Sequence, residues 1–277
     1  MGIEYFISTD IGKEREKNED SIAALVLNAE IDGKSRYIGF FAVSDGMGGH
    51  NAGEIASLTA IKEIVSYVNR NYYNKLFDRK YFELPERVYN YHFSKKPEKK
   101  MLTNPSNILE RAIKRANERI IDLSRQNPAF FGMGATAICA IVEDNLVTVA
   151  NVGDSRFYLI NEDGIKLISI DHTIVNQMIK LGSITVDEAK NHPGKNFLYK
   201  SLGAEEFVSP DIFQLEVKRG DVLLLCSDGL TNMVNENMIN DIVKRSRSLR
   251  MAVKKLISEA NKNGGKDNIS VILVKII

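Results

Sequence analysis

Four aspartates in this chain share one context, an apolar strand-like run meeting Asp beside glycine, serine or asparagine. They are Asp45 in VSDGMGGH, Asp154 in NVGDSR, Asp228 in CSDGL and Asp267 in GKDNIS. Strand ends set short carboxylates along one rim of a sheet. Two carboxylates ~4 Å apart repel by ~4 kcal/mol at an effective dielectric of ~20, so a converging set needs cations among it. Oxygen ligands of this kind suit magnesium or manganese. The histidines, His50, His92, His172 and His192, pair with neither cysteine nor one another at zinc spacing, which argues against a zinc site.

Asp-Gly is also the commonest hairpin turn, and the chain holds its own controls. Asp32-Gly33 and Asp163-Gly164 have charged neighbours, link two strand-like runs and read as turns. Asp45-Gly46 follows YIGFFAVS and leads through Met47-Gly48-Gly49-His50 into a helical pattern; Asp228-Gly229 follows VLLLCS and leads toward another. Glycine there lets backbone approach a ligand and expose a carbonyl as an oxygen donor. Upstream, GKEREKNED adds Arg15, Asn18, Glu19 and Asp20. A solvated charged loop is the plain reading of that run. A guanidinium fork also matches phosphate oxygens, which makes Arg15 an oxyanion clamp if the acidic site lies beside it. His50 is a candidate proton donor and equally a surface histidine at a helix entry.

These residues need a scaffold. The chain has 277 residues, 44% of them hydrophobic, and a formal net charge of +1. It holds no Pro-, Gly- or Ser-rich linker and no internal repeat, so one domain over residues 1–277 is the simplest organisation. Near-neutral charge supplies no general field for nucleic acid or anionic lipid. MGIEYFISTD lacks a basic start and an apolar core of signal-peptide length, and Cys139 and Cys226 sit inside apolar runs as small buried thiols. A soluble, cytoplasmic monomer without membrane attachment is expected.

Strand-like runs SIAALVL, RYIGFFAVS, TAICAIV, LVTVANV, RFYLI, IKLISI, DVLLLCS and ISVILVKII are linked in several places by short polar turns, which implies antiparallel hairpins. Helical periodicity appears in AGEIASLTAIKEIVSYVN, ILERAIKRANERIIDLS, NMINDIVKRS and MAVKKLISEANK. Helices separated by blocks of hairpins predict an α+β layered fold. Residues 171–203 read as an inserted subdomain, with the helix-like DHTIVNQMIKLG closed by Gly182 and a capping box at Thr185-x-x-Glu188. Residues 70–107, basic and tyrosine-rich, read as a surface insertion whose aromatics pack onto the body; stacking on nucleic-acid bases is the other use of such a mixture.

In order along nearly the whole chain, GKEREKNED, FAVSDGMGGHNAGEIAS, GMGATA, NVGDSR, LLCSDGL and GKDNISVILV resemble the motifs of the metal-dependent protein serine/threonine phosphatases, the phosphatase 2C (PPM) family, in its bacterial form. The resemblance implies a four-layer α/β/β/α sandwich, two central antiparallel sheets flanked by helices, with metals at one end. It implies two Mn2+ or Mg2+ ions, with Asp45 bridging both, Asp228 and Asp267 completing one sphere and the Gly46 carbonyl binding the other. Asp20 would act through metal-bound water, Arg15 would grip the substrate phosphate, and Asp154 with Asp228 would take a third, weaker ion. Met47 stands where eukaryotic relatives place their proposed general acid, so the resemblance does not carry that role over to His50, which is a candidate only by its place beside the Asp45 motif. Residues 171–203 correspond to the family's flap beside the active site.

The expected reaction is hydrolysis of phosphoserine and phosphothreonine in proteins by a metal-bridging water. The implied partners are phosphorylated proteins and a cognate serine/threonine kinase. Neither cysteine is followed by arginine at C-x5-R spacing, so no cysteinyl intermediate is expected. Two rivals stay open. A binuclear-metal phosphodiesterase or nuclease would use the same two-ion logic. A non-catalytic pseudophosphatase would only bind phosphoproteins, although its usual sign, loss of the metal aspartates, is absent.

Overall fold

Runs of aliphatic and β-branched residues pair into two antiparallel sheets in the computed structural model, which describes residues 2–31, 34–48, 52–74, 104–190 and 192–277. One sheet runs β2 (Asp20–Ile31), β3 (Lys34–Met47), β5 (Ala137–Glu143), β6 (Leu146–Val152) and β9 (Asp211–Glu216), with the short β4 (Gly134–Ala135) added on β3. The other runs β1 (Ile3–Asp10), β11 (Ile269–Ile276), β10 (Val222–Cys226), β7 (Arg156–Asn161) and β8 (Gly164–Leu167).

Alternation along the strands builds three cores. In β10, Leu223 and Leu225 face the opposite sheet with Phe41, Val43 and Ile272, whereas Leu224 and Cys226 face helices. A strand covered on both faces has no polar side to show, which is why VLLLC is a continuous apolar run. Helices α1 (Ala52–Val68) and α2 (Pro105–Gln126) cover the first sheet, with Ala56, Ala60, Ile64, Ile113 and Ala116 in their shared core. Helices α6 (Glu236–Arg245) and α7 (Leu249–Lys262) cover the second through Ile239, Val253 and Leu256. The result is the α/β/β/α sandwich that the motifs implied.

Between β8 and β9 lie α3 (Ile174–Lys180), capped by Thr173, and α4 (Val186–Lys190). The capping box is reciprocal: the Thr185 amide donates to Glu188 Oε2 at 2.7 Å, and the Glu188 amide to Thr185 Oγ1 at 3.3 Å. A guanidinium fork from Arg156 to both Asp171 oxygens, 2.6–3.0 Å long, ties the start of this segment to β7.

Besides the two-residue β4, two strands were missing from the sequence reading, β1 and β9. Each is an edge strand with only partly covered faces, so its apolar pattern is diluted. Helix α1 runs on into a π-helical turn, Asn69–Tyr73, where buried Tyr72 donates to Glu143 Oε2 at 2.7 Å and Tyr73 to the Leu25 carbonyl at 3.1 Å. These two rings belong to the core and are not available to stack on bases. The rest of the 70–107 stretch from 75 to 103, the Asp32-Gly33 turn and His50 lie outside the described residues, though Ile31 and Lys34 pair across that turn. Asp163-Gly164 is the β7–β8 turn, with Gly164 at φ +127°. Among the described residues no helix is long and apolar enough to cross a membrane.

Candidate active site

Strand register gathers the acids at one end of the sandwich. Asp20 opens β2 directly opposite Asp45 on β3. Asp154 lies in the turn between β6 and β7, Asp267 lies two residues before β11, and Asp228 follows β10 as the first residue of the short α5 (Asp228–Thr231). Asp45, Asp154, Asp228 and Asp267 line one cleft of about 860 Å³ together with Arg15, Glu19 and Gly46. Asp20 is buried behind it.

Asp45 is not at the end of its strand, as its apolar run suggested. β3 continues to Met47 by exchanging partners: Gly46 pairs with Ala135 and Met47 with Gly134 of β4. Thr136 clamps the crossing point, its Oγ1 accepting from the Asp45 amide at 2.9 Å and its amide donating to the Asp45 carbonyl at 2.8 Å. Gly46 is crowded on both sides. A Cβ there would stand 2.0 Å from the Gly53 carbonyl oxygen and 2.7 Å from that of Glu19, so only glycine fits.

The charges are strained. Burial raises the Asp45 carboxyl well above the ordinary range, and Asp20, Asp228 and Asp154 add repulsion. Burial first, then neighbouring acids, push Asp20 and Asp154 up to about 7 and Asp228 up to about 6. Asp20 Oδ2 accepts from Ser227 Oγ at 2.7 Å and Asp228 Oδ2 from Asn232 at 2.9 Å, but Asp20 Oδ1 and Asp228 Oδ1 are buried with no hydrogen-bond partner. Orphaned anionic oxygens among several acids fit a divalent cation, and an all-oxygen donor set fits Mn2+ or Mg2+. No three histidine, cysteine or acidic side chains among the described residues are arranged as a ready coordination set. Asp267 instead holds Arg15, whose Nη2 donates to Oδ2 at 2.8 Å. The predicted phosphate clamp therefore rests on a predicted metal ligand. Asp154 and Asp228 also share a smaller cleft of about 330 Å³ with Arg156, Asp171 and Asn232.

Residues 13–273 match the family model described as Protein phosphatase 2C. The chain belongs to the protein phosphatase 2C family. It is similar to "Serine/threonine phosphatase stp" of Listeria welshimeri, 34% identical over 267 residues, covering 96% of this chain and 93% of that one. Among phosphatase 2C structures it resembles the Mycobacterium tuberculosis serine/threonine phosphatase PstP/Ppp, at a TM-score of 0.77 and 27% identity over 99% of this chain and 98% of the other. The catalytic domain of serine threonine protein phosphatase PstP in complex with two manganese ions aligns at a TM-score of 0.75 and 25% identity, over 99% and 98% of the two chains.

Several residues that position the acids of this phosphatase 2C family member escaped the sequence reading. Asn268 donates to the carbonyls of Ile11 and Lys17, both at 2.9 Å, and accepts from the Glu19 amide at 2.8 Å, so it shapes the loop that presents Arg15. Ser227 orients Asp20, and Ser155 meets Thr136 at 2.8 Å beneath Asp45. Buried His172 grips the Asp154 turn, its Nδ1 accepting from the Gly153 amide and its own amide donating to the Gly153 carbonyl, both at 3.0 Å. Asn268, Ser227, Ser155 and Thr136 each lie within a motif that was quoted for its aspartate or its glycines. Their sequence signal was position beside the chemistry, without a charge to mark them.

Proposed function

We propose that this chain hydrolyses phosphoserine and phosphothreonine in proteins, with Mn2+ or Mg2+ held at the acidic end of the cleft. The observation that carries the reading is the pair of buried, partnerless carboxylate oxygens on Asp20 and Asp228, set among further acids in a cleft that Arg15 also lines. Asp45 would be shared by two ions, Asp228 and Asp267 would complete one set of ligands, and the Gly46 carbonyl would serve the other. Asp20 would act through water, and Asp154 with Asp228 would hold a third ion. When bound, such ions make a water nucleophilic at neutral pH and draw charge from the phosphoryl oxygens.

The chain's own groups do the rest. The Arg15 fork, released from Asp267, binds two phosphoryl oxygens and sets the phosphorus in line with the attacking water. The Thr136 and Ser227 hydrogen bonds hold Asp45 and Asp20 still while charge moves. A P–O bond to water forms as the ester P–O bond breaks, and the serine or threonine oxygen leaves with a proton, for which His50 is the proposed donor. Both thiols are buried and pushed up to about 12, which keeps them protonated and supports transfer to water over a cysteinyl intermediate. Phosphorylated proteins as substrates, a cognate serine/threonine kinase, a single monomeric domain and a cytoplasmic site of action complete the reading. A phosphothreonine peptide and a single-stranded oligonucleotide, compared under the same manganese conditions, test it. Phosphate release from the peptide alone is expected, and cleavage of the oligonucleotide alone would overturn the reading.

A further inference from the structure

Two large apolar side chains stand in water on the wall of the cleft that holds the acids. Phe131 is 86% exposed and Phe197 64% exposed, and both line the cleft with Asp45 and Asp228. They come from distant parts of the chain, Phe131 from the loop before β4 and Phe197 from the segment after α4. Their segments are stitched together beside the cleft, where the Ala135 amide donates to the Leu202 carbonyl at 3.1 Å and the Leu202 amide to the Ala135 carbonyl at 2.8 Å. So exposed a phenylalanine buries little of its ring in the fold that carries it, and two on one ligand cleft mark a contact surface. Phe207 is as exposed, at 89%, but does not line this cleft.

The geometry points to a substrate subsite in which Phe131 and Phe197 receive a large apolar side chain flanking the phosphorylated residue. Continuity identifies the occupant: a phosphoresidue seated at Asp45 and Arg15 has its neighbours in the same cleft. The inference rests on the phosphatase reading above. It predicts that substrates are chosen partly by an aliphatic or aromatic residue close in sequence to the phosphorylated one.

Matched phosphothreonine peptides, carrying leucine or serine at the flanking positions, test this with the intact enzyme and Mn2+. The leucine peptide should be favoured by about tenfold in kcat/KM, the effect lying in KM because the contact is the same in ground and transition states. In a Phe131→Ser, Phe197→Ser double variant the ratio should fall to near one, whereas Phe207→Ser should leave it unchanged. Equal cleavage of both peptides by the unmodified protein, or a preference that survives the double variant, would overturn the subsite while leaving the phosphatase reading intact. If the double variant does not fold, Phe131→Ser and Phe197→Ser taken singly should each lower the ratio, and a ratio unchanged in both would overturn the subsite. Cleavage of neither peptide would overturn both.

Discussion

Asp228 opens the short helix that follows β10, and its two oxygens have different fates. One accepts from Asn232, and the other is buried without a partner. The same split recurs at Asp20, and burial pushes the carboxyls of Asp20 and Asp154 up to about 7, against about 6 at Asp228. A carboxyl raised in the folded state contributes stability that is fully present below its unfolded value near ~4 and is lost as pH rises through the folded value. The metal-free protein should therefore lose thermal stability between about pH 4 and about pH 7, and Mn2+ should restore more of it at pH 8 than at pH 5. Melting curves with and without chelator check this; a metal-free Tm that climbs across the window would contradict it. By the same logic Asp228→Asn should stabilise the metal-free protein at pH 8, by roughly 1–3 kcal/mol, while abolishing the Mn2+-induced rise in Tm. Denaturant titration of both proteins reads that difference.

At this scale the sequence was informative where chemistry needs a charge. Asp45, Asp154, Asp228 and Asp267 stood out because an acid beside an apolar run and glycine, serine or asparagine is conspicuous, and the structure brings them to one cleft. Asn268 and Ser227 did not stand out, because a neutral side chain shows its role only through partners more than 200 positions away, Glu19 and Asp20.

Among the elements, β3 does the most positioning. By continuing past Asp45 and trading β5 for β4, it fixes Asp45 within a sheet while opening Gly46 toward the cleft. That crossing tolerates no side chain. Gly46→Ala would drive a methyl group to 2.0 Å from the Gly53 oxygen and 2.7 Å from the Glu19 oxygen, both backbone atoms that cannot swing aside. A loss of roughly 2–4 kcal/mol or more is expected, with activity falling further than stability because Asp45 and Glu19 move with it. Chemical denaturation and turnover measured on the same variant test the claim, and a variant with unchanged stability would refute it. The core elements were readable from periodicity, since β10 and α7 declare themselves by unbroken or 3.6-spaced apolar residues. The edges β1 and β9 were not, because a strand with one covered side and one wet edge carries half the pattern. The β3–β4 exchange was also hidden, since a two-residue strand has no periodicity to detect.

For the whole molecule, three apolar cores stacked between helices and sheets leave only the ends of the sandwich for polar chemistry. A formal net charge of +1 over the chain coexists with an acidic concentration at one end, so cation attraction is a local property of that rim. The middle layers bury Cys139 and Cys226 completely, and each thiol is pushed up to about 12. Both should resist a thiol-reactive dye at pH 8 in the native protein and react together on denaturation; rapid labelling of either in the native state would mean that the layers open. The layered order itself could not be derived from hydrophobic pattern alone. Periodicity says which faces are covered, whereas the pairing of β1 with β11 depends on contacts between the two ends of the chain.

The most direct test of the account is manganese-dependent phosphate release from a phosphothreonine peptide, measured beside Mn2+ binding by calorimetry, for the unmodified protein and for Asp45→Asn. Turnover should vanish with chelator and return with Mn2+. In the folded Asp45→Asn variant, turnover should fall by at least about a thousandfold, as expected when electrostatic stabilisation of the reacting phosphoryl group is lost, and Mn2+ binding should weaken in parallel. Near-normal turnover by that variant, or turnover by the unmodified protein that is indifferent to chelator, would contradict it.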